Sequence, residues 1–294
     1  MDSKKLKLGI PKGSLQEYTL KIFKLAGFNI EIPQRSYFLK IDDPGIECFL
    51  LRPQEIPKYI ERGQLDLGIS GDDWIAETKA DVVKVCDLKY AKTEIKKIKW
   101  VLAISENSKI KKIKDLKGKI ISTEIVNIAK DYFKAQGVKT KVEFSFGTGE
   151  IKPSRFVDAI IDLTETGVSL KTHNLKILDT VFESSTRLIA NKKSFKDKWK
   201  KEKIKALSLL LKGAVDSQET VSLIMHVPKR KLEKILKICP EIKRPTIKEI
   251  TGENLYDVSV DFSCKEKKIR ELIPRLKRLG CQAIVEFPLN KAIL

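Results

Sequence analysis

The sequence lacks the features that would assign it to a membrane or secreted class of protein. No apolar run approaches the roughly 18 residues that a membrane-spanning helix needs. The amino-terminal residues contain no hydrophobic segment of the kind found in secretory signal peptides. We therefore expect a cytoplasmic protein, and 294 residues are enough for two or three domains.

Cysteine and histidine are scarce, which argues against a disulfide framework, a zinc site or a histidine-based catalytic triad. The five cysteines are scattered, odd in number and without a CxxC pair, so we expect reduced thiols. The two histidines, His173 and His226, have no carboxylate or cysteine partner at the spacing of a triad or metal site. We interpret both as structural or surface residues.

Acidic residues are in deficit, since 39 Asp and Glu against 58 Lys and Arg give a formal net charge of +19. This excess makes a nucleic-acid-binding protein one hypothesis. Lysine, however, carries most of the positive charge. Aromatic residues make up 7% of the chain, so the basic residues lack evident aromatic neighbours on which nucleic-acid bases could stack. We favour lysine-rich helix surfaces, with a net charge that attracts anionic substrates.

Predicted strands and helices alternate in two blocks. The first block has strands over residues 5–10, 47–51 and 65–69 and helices over 15–26 and 57–62. The second starts near Trp100 and has strands over 100–104, 119–122, 142–146, 159–163 and 177–182, then a return segment over 184–190 and a charged helix over 192–212. Such alternation is typical of α/β domains with largely parallel sheets.

The residues after Gly213 follow a different pattern. From residue 220 the order is strand, helix, two strands, helix and strand in about 75 residues, which is the split βαββαβ motif of ferredoxin-like domains. Small modules of this kind at a chain end often regulate the domain before them. A purely structural dimerisation module is the alternative.

The segment from Ala159 to Leu170 has the chemistry of a sugar-phosphate site. An apolar strand ends at Asp162 and is followed by a turn around Gly167 that is rich in hydroxyl groups. Backbone N–H groups and the hydroxyls of such a turn can hold a phosphate, and two carboxylates beside it, Asp162 and Glu165, suit ribose hydroxyls or Mg²⁺. An ordinary strand-to-helix turn is the alternative interpretation.

Four separated stretches together resemble the long form of the ATP phosphoribosyltransferase family, which catalyses the first step of histidine biosynthesis. They are residues 8–15 (LGIPKGSL), 65–72 (LDLGISGD), 158–170 (DAIIDLTETGVSL), and 244–247 (RPTI) with the closing 279–285 (LGCQAIV). The stretches occur in the order of the family and span essentially the whole chain. One short motif would be weak, but four in order are specific.

The resemblance implies an α/β fold with a two-lobed, periplasmic-binding-protein-like catalytic core and a C-terminal ferredoxin-like regulatory domain. Lobe I would comprise residues 1–95 and 184–215, and lobe II residues 96–183. Residues 217–294 would bind histidine as a feedback inhibitor. The resemblance also implies a homohexamer that exchanges with dimers.

The implied reaction joins N1 of the adenine of ATP to C1 of the ribose of phosphoribosyl pyrophosphate and releases pyrophosphate. Positioning and electrostatic stabilisation can supply most of this catalysis without a protein nucleophile. Mg²⁺ would bridge the pyrophosphate mainly through substrate oxygens, and Asp162 and Glu165 are its candidate protein ligands.

The resemblance also implies roles for individual residues. Phosphoribosyl pyrophosphate would bind to the turn formed by Asp162, Thr164, Glu165, Thr166, Gly167, Val168 and Ser169. ATP would bind near Lys12, Gly13, Ser14, Asp66, Gly71, Asp72 and Asp73, with Gly68 in the same strand. The residues expected to act on the reacting groups are Lys12, Arg52, Asp162 and Glu165. In this assignment Lys12 neutralises phosphate charge and Arg52 contributes a bidentate fork.

Two positions depart from the pattern of the family. Many relatives have arginine where this chain has Ser14, which leaves a hydroxyl or a helix N-cap in place of a fork of donors. Arg155 stands where the family usually has glycine. The segment that links Glu150 to the phosphate turn is one residue shorter than in the family. We treat Glu150 and Arg155 as subsidiary candidates.

Three residues in the tail, Thr246, Ser263 and Ala283, are the candidates for contact with an amino-acid effector, because they lie near predicted strand ends. Two other functions fit the same scaffold. One is a non-catalytic protein that binds an anionic solute, and the other is a regulatory paralogue that has lost turnover.

Overall fold

The computed structural model describes residues 4–34, 36–88, 98–147, 149–153, 155–164, 167–250 and 258–293. Its strands are β1 (Leu6–Pro11), β2 (Ile30–Glu31), β3 (Phe38–Ile41), β4 (Ile46–Leu51), β5 (Leu67–Gly71), β6 (Val83–Asp87), β7 (Ile98–Ser105), β8 (Ile120–Thr123), β9 (Lys141–Phe144), β10 (Ala159–Thr164), β11 (Leu175–Ser184), β12 (Thr186–Ala190), β13 (Thr220–Val227), β14 (Thr246–Glu249), β15 (Val258–Lys265) and β16 (Gln282–Pro288). Its α-helices are α1 (Gln16–Ala26), α2 (Ile56–Glu61), α3 (Asp72–Thr78), α4 (Val126–Ala135), α5 (Val168–Thr172), α6 (Lys198–Ser217), α7 (Leu232–Ile238) and α8 (Ile269–Arg278). Short 3₁₀ turns lie at Ile113–Leu116, Gly149–Ile151, Lys229–Lys231 and Glu266–Lys268.

The first sheet has seven strands in the order β2-β3-β4-β1-β5-β12-β6. Its central strand β1 pairs in parallel with β4 and β5 and carries Leu6, Leu8 and Ile10, which have no exposed surface. Burial of each such side chain stabilises the fold by about 1.5–3 kcal/mol. Because parallel strands end at the same edge, Lys12, Arg52 and Asp72 follow β1, β4 and β5 at one edge of this sheet.

The second sheet has five strands in the order β11-β7-β10-β8-β9. Strand β8 is parallel to both β9 and β10, so the residues after these three strands share one edge. Strand β7 runs antiparallel to β10 and β11. The chain leaves the first sheet after β6, builds the second sheet, and returns to the first as β12. Two α/β sheets joined by two such crossings confirm the predicted two-lobed core.

The third sheet belongs to a separate compact unit, residues 209–294, whereas the first two sheets lie in residues 1–208. Its four antiparallel strands have the order β14-β15-β13-β16, which is the ferredoxin-like arrangement. One face packs on α7 and α8 around Leu223, Met225 and Val260. The predicted C-terminal fold is therefore confirmed.

The differences between the sequence prediction and the structure concern short elements. The prediction misses β2, β3, β6, α3 and α5, none of which is longer than seven residues. The helix predicted over 192–212 begins at Lys198, because the Asp197 carboxylate accepts the backbone N–H of Lys200 at 2.9 Å, as a helix cap does. In the described residues no helix is long and apolar enough to cross a membrane, and none of the five cysteines forms a disulfide.

Candidate active site

The polar strand ends of the first two sheets line one cavity of about 200 Å³. The first sheet contributes Ser14, Pro53, Gln54 and Gly71 from the ends of β1, β4 and β5. The second contributes Glu124, Asp162 and Leu163 from β8 and β10, and the crossing segment contributes Ser184, Ser185 and Thr186. Ligands of α/β proteins bind in crevices outside the carboxyl ends of strands, and this cavity has that position with respect to both sheets.

A second cavity, of about 650 Å³, adjoins the first. Both are lined by Gln54, Trp74 and Glu124, so these three residues stand where the cavities meet. The larger one is also lined by Arg52, Lys58 and the exposed aromatic pair Phe144 and Phe146, whose ring centroids are 4.6 Å apart.

Asp162 is a titratable residue of the smaller cavity whose pKa is shifted by its surroundings. Burial, together with the charges of Glu150 and Glu124, raises the pKa of its carboxyl to about 6, even though a hydrogen bond from the backbone N–H of Leu163 at 2.7 Å and the charge of Lys152 act to lower it. Gly149 allows this arrangement, since a Cβ there would lie 2.2 Å from Asp162 Oδ2. The side chain therefore changes charge near neutral pH inside the cleft.

The turn after β10 is built as a loop held by its own hydroxyls. Gly167 immediately precedes α5 and has a left-handed φ of 77°, which disfavours other residues; its N–H donates to Thr164 Oγ1 at 2.7 Å. The Ser169 hydroxyl donates to Glu150 Oε1 at 2.7 Å. A backbone hydrogen bond and, after it, this hydroxyl hold the pKa of the Glu150 carboxyl below its usual value. Val168 is exposed. Glu165 and Thr166 lie outside the described residues.

The structure places Lys12, Gly13, Ser14 and Arg52 at the same edge of the first sheet. Lys12 lies over the ring of Tyr37, with its Nζ 4.6 Å from the ring centroid. Ser14 lines the smaller cavity and is no helix cap, because α1 starts from Leu15 without a side-chain cap. The exposed guanidinium of Arg52 lines the larger cavity and makes no ion pair with any residue that the structure describes.

Three predicted acids are engaged within the protein. Asp66 lies at the amino end of β5, away from the cleft edge, and binds Lys200 at 2.6 Å and the Ser194 hydroxyl. Asp72 pairs with Arg187 at 2.8 Å and Lys84 at 2.9 Å. Burial works to raise the pKa of the Asp72 carboxyl, but these two hydrogen bonds outweigh it and hold that pKa below its usual range.

Asp73 lines the smaller cavity but is 2% exposed and hydrogen-bonded to Trp100 Nε1, to the Ser184 hydroxyl and to the backbone N–H of Trp74. Gly71 lies beside it, and a Cβ there would fall 2.0 Å from Asp73 Oδ1. The structure thus brings Gly71 and Asp73 to the cleft and leaves Asp66 and Asp72 outside it. Gly68 is buried within β5 and does not line either cavity.

Several cleft residues were not predicted from the sequence. Gln54, Trp74, Trp100, Glu124 and Ser184 line the smaller cavity. Gln54 and Glu124 lie within three residues of the ends of predicted strands, and that position was a usable signal. Trp74, Trp100 and Ser184 are brought together from distant positions by the two crossings, and no local pattern indicates that.

Among the subsidiary candidates, Glu150 reaches the phosphate turn through Ser169, whereas Arg155 lines a separate shallow pocket with Asp158. His173 ends α5, with its Nδ1 2.9 Å from the carbonyl oxygen of Ser169, and His226 lies in β13. In the described part of the chain, no group of three or more His, Cys, Asp or Glu side chains could hold a metal ion.

The candidate effector residues lie in the C-terminal sheet. Thr246 begins the edge strand β14, Ser263 lies in β15, and Ala283 lies in β16 at the opposite edge with a φ of 46°. Two strands separate Thr246 from Ala283, so the structure does not bring all three together within one chain.

Two α/β sheets enclose a cleft at their strand ends, with Asp162 on one side and, on the other, Arg52, whose guanidinium makes no ion pair with a described residue; this is the position in which α/β proteins bind small-molecule ligands. A profile described as ATP phosphoribosyltransferase matches residues 52–213, and one described as HisG, C-terminal domain, matches residues 217–291. The chain belongs to the ATP phosphoribosyltransferase family.

Similarity to relatives extends over the full length. An ATP phosphoribosyltransferase of Thermodesulfovibrio yellowstonii is 50% identical over 100% of both chains, and one of Chlorobium luteolum is 48% identical over 99% of this chain and 98% of its own. Among solved structures, a chain of the ATP phosphoribosyl transferase (HisG:HisZ) complex from Thermotoga maritima has a TM-score of 0.60 and 29% identity, covering 70% of this chain and 98% of its own.

Proposed function

We propose that the protein transfers the phosphoribosyl group of phosphoribosyl pyrophosphate to N1 of the adenine of ATP, releasing pyrophosphate, as the first step of histidine biosynthesis. The observation that carries the proposal is the cavity that Asp162, at the mouth of the phosphate turn, shares with strand ends of the other sheet. A donor bound at the turn and a nucleotide bound at the opposite strand ends would meet there. Catalysis then rests on orientation of the two substrates and on charge complementarity.

The phosphate turn is the proposed site of the 5-phosphate of the donor. Backbone N–H groups and the hydroxyls of Thr164, Thr166 and Ser169 would bind it, with Val168 contributing main-chain contact. For Ser169 the phosphate would displace Glu150 as hydrogen-bond partner. Asp162 and Glu165 would bind the ribose hydroxyls, which requires Asp162 to be ionised.

Arg52, Lys12 and Ser14 are the proposed anion contacts on the opposite side. Arg52 is ready for a bidentate contact because no described residue engages its guanidinium. Lys12 would have to leave the ring of Tyr37 to reach a phosphate. Gly13 has a φ of 106°, in the left-handed region that favours glycine, and so shapes the backbone turn beside Arg52. Gly71 and Asp73 would shape the nucleotide side of the cleft.

Mg²⁺ fits this site as a companion of the substrates. The described residues offer no group of three or more protein ligands, and Asp162, with Glu165, would add carboxylate oxygens to those of the donor. When bound, the ion supplies positive charge to the pyrophosphate. The residues of the chain bind and orient the two substrates.

The domain arrangement is part of the proposal. Residues 1–95 with 184–215 and residues 96–183 would form the two catalytic lobes, and residues 217–294 the regulatory domain that binds histidine, with Thr246, Ser263 and Ala283 as candidate contacts between subunits of a hexamer or dimer. Both substrates are highly charged phosphate esters that do not cross membranes unaided, so the proposal includes a cytoplasmic location.

The test is a direct assay with ATP, phosphoribosyl pyrophosphate, Mg²⁺ and pyrophosphatase. We expect an increase in ultraviolet absorbance from N1-substituted adenine and formation of a product with the summed mass. If both substrates bind but no product forms, the protein is a regulatory paralogue. If neither binds and another anion does, it is a solute-binding protein on the same scaffold.

The regulatory assignment is tested with a chain that ends at Ser217, where α6 is complete. We expect histidine to inhibit the full chain and to leave the shortened chain unaffected. Inhibition of both to the same degree would contradict a histidine site in residues 217–294.

A further inference from the structure

Gln54 occupies a fixed position where the two cavities of the cleft meet. It lies between the end of β4 at Leu51 and the start of α2 at Ile56. The main chain beside it is held, because the Ser70 hydroxyl donates to the carbonyl oxygen of Pro53 at 2.7 Å. The backbone at Gln54 is therefore set by the first sheet and does not depend on a ligand.

The carboxamide of Gln54 has an unused hydrogen-bonding atom. Its Oε1 is buried and has no hydrogen-bond partner in the described protein, although the side chain lines both cavities. Buried side-chain acceptors are nearly always paired in native proteins, so an unpaired one on a residue that lines a cleft points to a ligand donor that a turn of the carboxamide would bring within reach. The proposed mechanism uses Asp162, Arg52 and the phosphate turn and assigns nothing to Gln54.

The surroundings of Gln54 suit a flat heteroaromatic ring. Trp74 lines both cavities as well, and its indole is fixed by an edge contact with Trp100 at 5.9 Å between ring centroids. An indole face beside an amide is a common setting for a purine, because stacking holds the ring while the amide reads its edge. Glu124, the third residue shared by both cavities, adds a second acceptor.

A carboxamide matches one edge of adenine in particular. Its oxygen accepts from the N6 amine while its NH₂ donates to N7, which is the bidentate contact that glutamine makes with adenine in nucleic acids. This contact uses the edge formed by N6 and N7 and leaves N1 free. Asp162 lines the same smaller cavity as Gln54, so a base held in this way can present N1 toward the donor.

We propose that Gln54 is a specificity-determining residue that binds the N6 and N7 edge of the adenine of ATP and thereby directs N1 toward the phosphoribosyl donor. This inference rests on the proposed function in taking ATP as the nucleotide substrate. It explains the buried Oε1 by a specific ligand atom, the hydrogen of the N6 amine.

The test measures dissociation constants by calorimetry for the full chain and two variants. The ligands are ATP, its 7-deaza analogue, and purine riboside triphosphate, which lacks the N6 amine. Gln54→Leu should weaken ATP binding by about 5-fold to 150-fold, as the loss of a bidentate base contact does, and should bind the analogues about as well as ATP. Gln54→Glu keeps an acceptor for the N6 amine but places a carboxylate oxygen against the N7 lone pair. It should therefore bind purine riboside triphosphate more weakly than ATP and the 7-deaza analogue at least as tightly as ATP.

Gln64→Leu is the matched control, because Gln64 is exposed before β5 and lines neither cavity. It should bind all three nucleotides like the wild type. The inference is overturned if Gln54→Leu keeps wild-type affinity for ATP, or if it weakens ATP and both analogues equally. Failure of the wild-type protein to bind ATP at all would instead contradict the proposed function, so the two failures are distinguishable.

Discussion

Trp100 Nε1 donates a hydrogen bond of 2.8 Å to Asp73 Oδ2 and so joins the second sheet to the first. Trp100 belongs to β7, and Asp73 begins α3 after the first-sheet strand β5. The Ser184 hydroxyl, from the crossing back to the first sheet, donates to Asp73 Oδ1 at 2.8 Å. Burial raises the pKa of the Asp73 carboxyl, and the hydrogen bonds of its partners oppose that rise. A single buried carboxylate thus ties together the segments between which the cleft forms.

Trp100→Phe tests this connection. The substitution keeps an aromatic ring but leaves Asp73 Oδ2 without its donor, so we expect the free energy of unfolding to fall by about 1–3 kcal/mol. Denaturant unfolding followed by circular dichroism gives the value. Trp199→Phe is the control, since the Trp199 ring contacts Lys4 and Lys203 and a phenyl ring keeps such contacts. Equal stability of the two variants would show that the Trp100 hydrogen bond adds nothing.

Asp162→Asn should make the stability of the protein less dependent on pH. The folded pKa of about 6 lies above the ordinary value of 3.8, so the folded state binds more protons between these values and loses stability as pH rises through 6. At pH 7.5 we expect the variant to be more stable than the wild type by up to about 3 kcal/mol, with the difference vanishing below pH 4. Asp131→Asn, at an exposed site, should show no such trend. Parallel pH curves for Asp162→Asn and wild type would contradict the buried titration.

Gly149→Ala should impair activity through Asp162. A Cβ at residue 149 would lie 2.2 Å from Asp162 Oδ2, so the carboxylate has to move. We expect kcat/KM for phosphoribosyl pyrophosphate to fall by about tenfold, which corresponds to roughly 1.4 kcal/mol of lost transition-state stabilisation. Steady-state kinetics measure the effect. In an Asp162→Ala background, Gly149→Ala should cause no further fall in kcat/KM. A further tenfold fall in that background would mean that Gly149 acts independently of Asp162.

Arg52→Lys should separate charge from geometry at the proposed phosphate contact. Lysine keeps the positive charge but lacks the planar fork, so we expect kcat/KM to fall by about tenfold with the melting temperature unchanged. The melting temperature should hold because the guanidinium makes no ion pair with a described residue. Arg62→Lys, at the exposed end of α2, should leave both values unchanged. Wild-type kinetics for Arg52→Lys would contradict the proposed contact between the Arg52 guanidinium and a phosphate group.

Local pattern predicted those elements that the sequence stabilises by itself. Helix α1 buries Thr19, Ile22, Phe23 and Ala26 at helical spacing, and β10 begins with an apolar run, although it continues past Asp162 to Thr164. Helix α3 was missed because its seven residues are too few for a helix that stands alone. Its Glu77 carboxylate accepts the backbone N–H groups of Asn127 and Ile128 at the start of α4, a contact that no periodicity indicates.

The sequence by itself determined the α/β alternation and the ferredoxin-like tail, because each is encoded by neighbouring residues. Tertiary structure decided which polar groups are available to a ligand. Asp66, Asp72 and Asp73 have similar sequence contexts, yet two pair with Lys200 and Arg187 and the third is bonded to Trp100. Gln54, in contrast, has a buried oxygen without a partner among the described residues. The physical reason is that a carboxylate or amide is bound or free according to the groups that long-range packing places within hydrogen-bond distance.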